Sequence, residues 1–277
     1  MGHYIISPQE MYEAERAVFA TGRASFSLMQ QAGMAVADLL HRDYPTGTIR
    51  VLCGPGGNGG DGFVAATRLA SLGRQVSVFL LGAVDALKGD PKAAAERWPG
   101  PIEDLSCALE FPADITVDAL FGGGLSRSLE GTCAKLAEAT HAPVVSVDVP
   151  SGLDGLTGQP LGACFHASLT VTFAALRPAH VLFPGKALCG RVEVVDIDVP
   201  VPTHSVYEEF GPNLTLETSV FDTAEECERA CGGIDPVCDN DIELVRRAAG
   251  QLGCPVLINR PHRLLGRPSG SVHVDAG

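Results

Sequence analysis

The sequence is poor in positive charge, which limits what the protein can bind. Its 277 residues include 20 lysines and arginines against 33 aspartates and glutamates, giving a formal net charge of −13 and an isoelectric point near 5.0. A protein that neutralises a phosphate backbone needs a basic surface instead. We therefore expect no nucleic-acid partner.

Long apolar runs and a targeting leader are also missing. No stretch approaches the roughly 20 apolar residues that span a bilayer. The amino-terminal segment has no basic region before its first carboxylates, unlike a signal peptide. The nine cysteines include no CxxC pair, which favours free thiols in a reducing compartment. These features predict a soluble, cytoplasmic protein with no membrane partner.

Apolar residues are nevertheless abundant enough for a large core. They make up 45% of the chain against 19% charged residues, and the mean hydropathy is +0.16. This composition excludes a mainly disordered chain. At roughly 150 residues per domain, the length fits one large domain, or one domain with a partial second.

Short apolar runs alternate with segments of helical spacing in most of the chain. The runs predict strands at 49–53, 76–81, 115–120, 143–149, 169–174 and 192–197, and the spacing predicts helices at 8–20, 26–40, 61–72, 91–98 and 133–140. Strands that are nearly continuously apolar imply a sheet covered on both faces. The sequence therefore predicts an α/β fold, a Rossmann-like, doubly wound, mostly parallel sheet with helices on both faces.

The pattern changes after Pro202, where the apolar runs become sparse. We place a boundary near 202–220, which divides the chain into a domain at 1–202 and a short C-terminal tail at 203–277. No zinc-binding spacing connects the tail's cysteines, and its one notable histidine has no partner at ligand spacing. These residues are Cys227, Cys231, Cys238, Cys254 and His262. We interpret them as ordinary side chains.

The strongest local signal is the glycine-rich loop at 54–62, GPGGNGGDG, between a predicted strand and a predicted helix. It satisfies GxGxxG, which in this context predicts nucleotide phosphate at a helix amino terminus. A tight turn without a ligand is the alternative. Asp61 within the loop would repel a pyrophosphate unless it bonds a ribose or base, or a cation lies nearby. A plain NAD-dependent dehydrogenase is therefore disfavoured.

Further polar residues follow two other predicted strands. Asp118 ends one strand, Asp148 ends another, and Ser151 comes shortly afterwards. Because the carboxyl ends of parallel strands form the ligand crevice, we expect these residues to converge with Asn58 and Asp61. Three carboxylates in one crevice need a cation or a proton; the alternative is that the residues only cap loops. Ser151 is not in a GxSxG motif, which disfavours a serine hydrolase.

Four further segments accompany the glycine-rich loop, at 26–33, 117–124, 146–155 and 174–200. Together these motifs resemble the NAD(P)H-hydrate epimerase family over about residues 4–200. The resemblance implies an isomerase that interconverts the R and S forms at C6 of the hydrated nicotinamide ring of NAD(P)HX, in nicotinamide nucleotide repair. Its small-molecule substrate would be hydrated NADH or NADPH, and the protein would be a homodimer.

The resemblance also implies roles for individual residues. Asn58, Asp118 and Ser151 would coordinate a potassium ion, and a hard cation held by oxygen ligands answers the charge problem of the crevice. Asp148 would be the catalytic residue, which protonates the leaving C6 hydroxyl and then stabilises the iminium as a carboxylate. Asp61 is the alternative proton donor. The substrate-binding residues would be Gly57, Asn58, Gly59, Gly60, Asp61, Gly122, Gly123, Gly124, Leu125, Ser126, Arg127, Ser128 and Asp148.

The sequence departs from the family pattern at three places. Gly57 replaces an asparagine of the glycine-rich motif, and Arg127 lies in the phosphate loop where a lysine is often nearby. Arg177 replaces the lysine of a Lys-Pro pair, which conserves charge but not shape. We expect the loss of the asparagine to weaken binding without abolishing it.

The tail and the function leave alternatives open. Bifunctional relatives continue into a dehydratase domain, and 203–277 is too short for one, although 241–249 and 264–274 faintly resemble pieces of it. We predict a truncated remnant without dehydratase activity. Two other classes of function remain: a non-catalytic nucleotide-binding or interaction module on the same fold, and a generic NAD(P)-binding oxidoreductase.

Overall fold

The computed structural model describes residues 3–202 without a gap. Beyond them it describes 205–207, 219–221, 224, 227, 231, 240–252, 255–258, 264–270 and 272–274. Cys238, Cys254 and His262 of the tail lie outside the described residues. None of the helices within these ranges is long and apolar enough to cross a membrane.

Helices and strands alternate along the chain much as the apolar pattern indicates. The strands are β1 His3–Tyr4, β2 Ile49–Cys53, β3 Val76–Leu80, β4 Ile102–Asp104, β5 Ile115–Ala119, β6 Val144–Val147, β7 Leu169–Phe173, β8 Arg191–Val195, β9 Ser205–Tyr207, β10 Ser219–Phe221, β11 Val256–Ile258, β12 Leu264–Gly266 and β13 Val272–Val274. The α-helices are α1 Pro8–Ala20, α2 Ser25–Asp43, α3 Gly57–Ser71, α4 Gly89–Ala95, α5 Gly131–Ala139, α6 Gly185–Cys189 and α7 Asp241–Leu252. Short 3₁₀ helices cover Val84–Ala86, Leu105–Leu109 and Pro178–His180.

The central sheet contains β2 to β8 in the order β4-β3-β2-β5-β6-β7-β8, and every neighbouring pair is parallel. This confirms the predicted α/β fold with a mostly parallel sheet. The chain runs from β2 toward one edge and then returns to the other side of β2 with β5. At such a reversal of strand order, a crevice opens outside the carboxyl ends of the strands.

The four middle strands of the central sheet, β2, β5, β6 and β7, are buried on both faces. Along β2, Val51 and Cys53 belong to the apolar cluster that includes Phe63 of α3, whereas Leu52 packs with Leu136 of α5 on the opposite face. Alternate residues of a strand point to opposite faces. A strand covered on both sides is therefore mostly apolar, and the one charged residue of β2, Arg50, is buried and donates a hydrogen bond to the Thr116 hydroxyl at 2.8 Å.

The helix α3 begins at Gly57, so the predicted start at 61 is wrong. Its N-cap is Gly56, and the first helical turn consists mostly of glycine, which masks the helical spacing. The close packing of this turn explains the composition. A Cβ on Gly59 would lie 1.8 Å from the carbonyl oxygen of Gly54, so no larger residue fits.

The amino-terminal strand and the tail form a second sheet that the apolar pattern did not predict. Its strand order is β1-β9-β13-β12-β11-β10, with parallel and antiparallel pairs. Val245 and Ala248 of α7 share an apolar cluster with Leu176 and Val181 of the larger domain. The described part of the tail is therefore joined to that domain through a common core.

Gly33 of α2 determines how closely α2 approaches α3. A Cβ here would lie 2.5 Å from the Val64 Cβ and 2.6 Å from the Asp61 carbonyl oxygen. Gly33→Ala should lower the free energy of unfolding by about 1–3 kcal/mol, as overpacking typically does, measured by urea unfolding. The matched control is Gly250→Ala in α7, where no described atom outside the helix's own backbone lies within 4 Å of the added Cβ. Equal stability of the two variants would contradict this close packing.

Candidate active site

A cavity of about 570 Å³ opens at the carboxyl ends of β2 and β5, within the usual size of small-molecule sites. Its walls come from α1, the loop into α3, the loop after β5, the end of β6 and the segment after β7. The lining residues are Pro8, Met11, Tyr12, Glu15, Pro55, Gly56, Gly57, Asn58, Asp61, Leu120, Phe121, Gly122, Gly123, Gly124, Leu125, Ser126, Arg127, Asp148, Phe173 and Arg177. The predicted site residues that do not line it are Gly59, Gly60, Asp118, Ser128 and Ser151.

The glycine-rich loop brings the amino terminus of α3 to the cavity. The Gly54 N–H donates to the Ala119 carbonyl at 2.9 Å, and a Cβ on Gly54 would lie 1.8 Å from the Leu120 carbonyl oxygen. Only glycine allows the loop to approach the end of β5 this closely. At Gly57, by contrast, no atom of the described residues outside the helix backbone lies within 4 Å of an added Cβ. Packing therefore leaves room for the asparagine that the family pattern has there.

Asp148 directly follows β6 and has a left-handed backbone conformation, with φ of 65°. Its Oδ2 accepts a hydrogen bond from the Gly123 N–H at 2.8 Å, and its Oδ1 accepts one from the Thr172 hydroxyl at 3.2 Å. Oδ1 also lies 3.4 Å from Nη2 of Arg177. Burial alone would raise the pKa of Asp148, but the Arg177 charge and the Gly123 hydrogen bond outweigh it and lower the pKa. Asp148 is therefore a carboxylate at neutral pH.

Asp61, in the second turn of α3, has the opposite electrostatic environment. Burial raises its pKa well above the usual range for aspartate, and the charges of Asp148 and Glu15 raise it further. Burial also raises the pKa of Glu15 in α1, and the Arg177 charge opposes this rise. One cavity thus combines a carboxyl group that favours its proton with one that favours ionisation, which suits general acid–base chemistry.

The two pKa directions indicate which aspartate is the better proton donor. From the sequence we expected Asp148 to protonate the leaving hydroxyl, with Asp61 as the alternative. A carboxyl group with a raised pKa keeps its proton to higher pH and is the stronger candidate for that step, whereas a carboxylate is the better partner for a developing cation. The directions of the two pKa shifts favour Asp61 as the donor, and the expectation that Asp148 is the donor stays a prediction.

Asp118 and Ser151 form a buried network behind the cavity. Oδ1 of Asp118 accepts from the Ser151 hydroxyl at 2.6 Å, and Oδ2 accepts from the Ser151 N–H at 2.8 Å and the Ser146 hydroxyl at 3.0 Å. The Ser151 hydroxyl also accepts from the Phe121 N–H at 2.9 Å, which links the network to the cavity wall. Burial raises the pKa of Asp118, although these hydrogen bonds oppose the rise. All of these donors are neutral, so they supply no charge to balance the carboxylate.

Asn58 supplies a buried amide nitrogen without a partner in the part of the chain that the structure describes. Its Nδ2 makes no hydrogen bond there, and a buried polar atom in this state is costly unless a ligand satisfies it. A carboxamide can rotate to present its oxygen instead. Across the described ranges, no group of three or more His, Cys, Asp or Glu side chains is arranged to hold a metal. A cation site here would therefore need amide, hydroxyl and carbonyl oxygens as well as a carboxylate.

Comparison with known proteins shows the family of the chain that carries this site. The family described as YjeF-related protein N-terminus matches residues 25–179. The chain belongs to this family. The match includes the glycine-rich loop, the loop after β5 and Asp148, and it ends within the segment that carries Arg177.

Curated relatives of this YjeF-related chain bear two kinds of name. A Rhodobacter capsulatus protein named NAD(P)H-hydrate epimerase is 42% identical over 198 residues, covering 64% of this chain and 91% of that protein. One of the same name from Limosilactobacillus fermentum is 38% identical, covering 63% of this chain and 87% of that protein. The bifunctional NAD(P)H-hydrate repair enzyme Nnr of Thermofilum pendens is 42% identical, covering 62% of this chain, which spans only 36% of that enzyme. The resemblance seen in the sequence is confirmed.

A solved structure supports the fold of the YjeF-related domain. The crystal structure of yeast ynu0, YNL200c, is similar with a TM-score of 0.61 and 23% sequence identity, covering 69% of this chain and 87% of that chain. At this identity the likeness concerns the fold alone. It agrees with the central parallel sheet described above.

Several residues of this YjeF-related site were not identified from the sequence. Glu15 lies in α1, far from every motif, and no local signal marks it. Thr172 is a hydroxyl within an otherwise apolar strand, a weak signal of a polar role. The sequence indicated Arg177 only as a replacement of a family lysine. His180 follows three residues later and had no predicted role, although its ring contacts the backbone of Asp148.

The raised pKa of Asp61 should make stability fall as the pH rises. The group's contribution is fully present below its unfolded pKa of about 3.9 and is lost as the pH rises toward the higher folded pKa. Asp61→Asn cannot ionise. Its free energy of unfolding should therefore increase relative to wild type as the pH is raised from about 4 to about 8, measured by urea unfolding at stepped pH.

The control for this titration is Asp85→Asn, because Asp85 is exposed. This variant removes one surface carboxylate and therefore reports the general effect of losing one negative charge on the unfolding titration. A pH-independent difference between Asp61→Asn and wild type would mean that Asp61 ionises equally in the folded and unfolded chains, against the prediction.

Proposed function

We propose that this protein is an isomerase, an NAD(P)H-hydrate epimerase that interconverts the R and S forms of NAD(P)HX at C6 of the hydrated nicotinamide ring. The relatives named NAD(P)H-hydrate epimerase support this function, because the chain covers 91% and 87% of two of them. The single observation that carries it is the presence of Asp61 and Asp148 in one cavity, with pKa values shifted in opposite directions. The reaction would serve nicotinamide nucleotide repair.

The nucleotide would bind along the glycine-rich loop and the loop after β5. The amino terminus of α3 favours an anion there, and Arg127, which lines the cavity, offers a guanidinium to the phosphates. Gly122 allows the loop after β5 to lie close to both side chains, since a Cβ there would lie 2.9 Å from Oδ2 of Asp148 and 3.3 Å from Oδ1 of Asn58. The hydrated ring would then lie between the phosphate loops and the two aspartates.

Epimerisation needs the C6–O bond to break and to form again on the other face. Asp61 gives its proton to the C6 hydroxyl, the bonding electron pair leaves with the oxygen as water, and the ring nitrogen's lone pair forms the iminium. The carboxylate of Asp148 stabilises this cation. Water then adds to the opposite face and releases one proton to a carboxylate of the pair, so the protons balance and no redox change occurs.

The potassium ion is also part of the proposal. Asn58, Asp118 and Ser151 would hold it, and two features fit: the unpartnered buried amide of Asn58, and the Asp118 carboxylate, whose hydrogen-bond donors are neutral. A hard monovalent cation prefers such oxygen ligands. When bound, it would supply positive charge beside the phosphate-binding loops.

Location and assembly complete the proposal. We propose a cytoplasmic protein, which is supported by the free thiols of the cysteines within the described ranges, since such thiols are typical of a reducing compartment. The net charge of −13 supports the absence of a nucleic-acid partner. The homodimer is proposed from the family resemblance.

Hydrated NADH of the R form tests the function directly. In potassium buffer, wild type should accelerate the approach to the R/S mixture, followed by NMR or chromatography. Asp61→Asn and Asp148→Asn should each lower kcat by about 100-fold or more, as loss of acid–base groups does, while nucleotide binding persists. Asp85→Asn is the control and should match wild type.

Two results would overturn the proposed function. Bound nucleotide without acceleration would favour the non-catalytic module, and a change in nicotinamide absorbance with a reducible substrate would favour an oxidoreductase. Near-normal turnover in Asp148→Asn would reject the role of that carboxylate alone.

Exchange of the cation tests the potassium site. Replacing potassium chloride by choline chloride at constant ionic strength should lower kcat/KM of wild type and its midpoint of thermal unfolding, because a ligand of the folded state is removed. Asn58→Ala should respond less to the exchange in both measurements. Identical values of wild type in the two salts would exclude the site.

A further inference from the structure

His180 joins the backbones of two residues of the proposed active site. Its side chain is buried, at the end of the 3₁₀ helix Pro178–His180. Its Nδ1 accepts a hydrogen bond from the Arg177 N–H at 2.9 Å, and its Nε2 lies 2.9 Å from the carbonyl oxygen of Asp148. One buried ring therefore bridges the residue that bears the carboxylate and the residue whose guanidinium pairs with it.

The two hydrogen bonds determine the tautomer of His180. A backbone N–H only donates, so Nδ1 has no proton, and a carbonyl oxygen only accepts, so Nε2 carries the proton. Burial lowers the pKa of His180 to about 4, so the ring is neutral at physiological pH. A neutral ring with its proton on Nε2 satisfies both partners at once.

The backbone that His180 holds is a strained one. The φ of 65° at Asp148 is a conformation that side chains other than glycine rarely adopt and that persists only when the surroundings hold it. The Asp148 N–H donates to the Val171 carbonyl at 2.8 Å, and the Asp148 carbonyl accepts from His180. The direction in which the carboxylate leaves the backbone therefore depends on both of these bonds.

We propose that His180 is a positioning residue, whose ring ties the backbone of Asp148 to that of Arg177 and thereby sets the 3.4 Å separation of carboxylate and guanidinium. The inference rests on the proposed epimerase function, because the carboxylate that His180 places is the one proposed to stabilise the iminium. His180 itself does not line the cavity, so it acts only through these neighbours.

Three variants separate the two arms of the bridge. His180→Gln keeps a donor for the Asp148 carbonyl, His180→Asn keeps an acceptor for the Arg177 N–H, and His180→Leu keeps neither. With hydrated NADH, His180→Leu should lower kcat about tenfold or more, because small displacements of catalytic groups are costly, with KM nearly unchanged. His180→Gln should retain more kcat than His180→Asn. His166→Gln, at an exposed histidine, is the control.

A double-mutant comparison separates positioning from a structural role. In an Asp148→Asn background, His180→Leu should lower kcat by less than about threefold, since the carboxylate it places is already gone. Because His180→Leu leaves two backbone groups unpaired and can fail to fold, the order of His180→Gln above His180→Asn decides the matter by itself. Equal losses of kcat in both backgrounds, or the reverse order of the two polar variants, would overturn the proposal.

NMR gives a test that does not depend on turnover. Nitrogen shifts of the His180 ring should report a proton on Nε2 alone, and the carboxyl carbon of Asp148 should titrate at higher pH in His180→Leu than in wild type or His180→Gln. If wild type shows these signals but no epimerase activity, the proposed function fails while the positioning role stands. A proton on Nδ1, or an Asp148 titration unchanged in His180→Leu, would overturn the positioning role.

Discussion

The protonation of the carboxyl groups in the candidate active site depends on one buried positive charge, that of Arg177. The side chain of Arg177 is 3% exposed and lies 3.4 Å from Asp148, and its charge also opposes the rise in the pKa of Glu15. A carboxylate in a desolvated cavity is stable only when it is paired. Because Asp148 takes the ion pair, ionisation of Asp61 is disfavoured by burial and by its neighbour's charge. The opposite pKa shifts of the two aspartates therefore have a common cause.

The parallel sheet brings these charged residues together at one edge. The carboxyl ends of β2, β5 and β6 lie at one edge, and each is followed by a different kind of loop: a glycine-rich loop after β2, a loop with three consecutive glycines at 122–124 after β5, and a turn with φ of 65° at Asp148 after β6. Arg177 arrives from the segment after β7. Because all strands of the sheet are parallel, the polar residues that follow them are brought together at the edge formed by the carboxyl ends.

The sequence could predict those parts of the site that have a local signature. Nearly continuous apolar runs mark strands buried on both faces. Asp148 directly follows such a strand, and Asn58 and Asp61 lie in the glycine-rich segment that follows another, so the fold and the convergence of these three followed from spacing. Glu15 and the pairing of Arg177 arise instead from contacts between elements far apart in the chain, which no periodicity reveals. The start of α3 was missed for another reason, because close packing requires glycine in a helical turn.

The second sheet connects the tail to the active site through the amino terminus. Tyr4 of β1 pairs with Val206 of β9, and on its other side the Tyr4 carbonyl accepts from the Leu176 N–H at 2.8 Å, while the Ile6 N–H donates to the Leu176 carbonyl at 2.9 Å. Leu176 directly precedes Arg177. The segment at 4–6 is thus hydrogen-bonded on one side to strand β9 of the tail and on the other to the residue before Arg177. The described part of the tail is therefore connected to the proposed site by backbone hydrogen bonds.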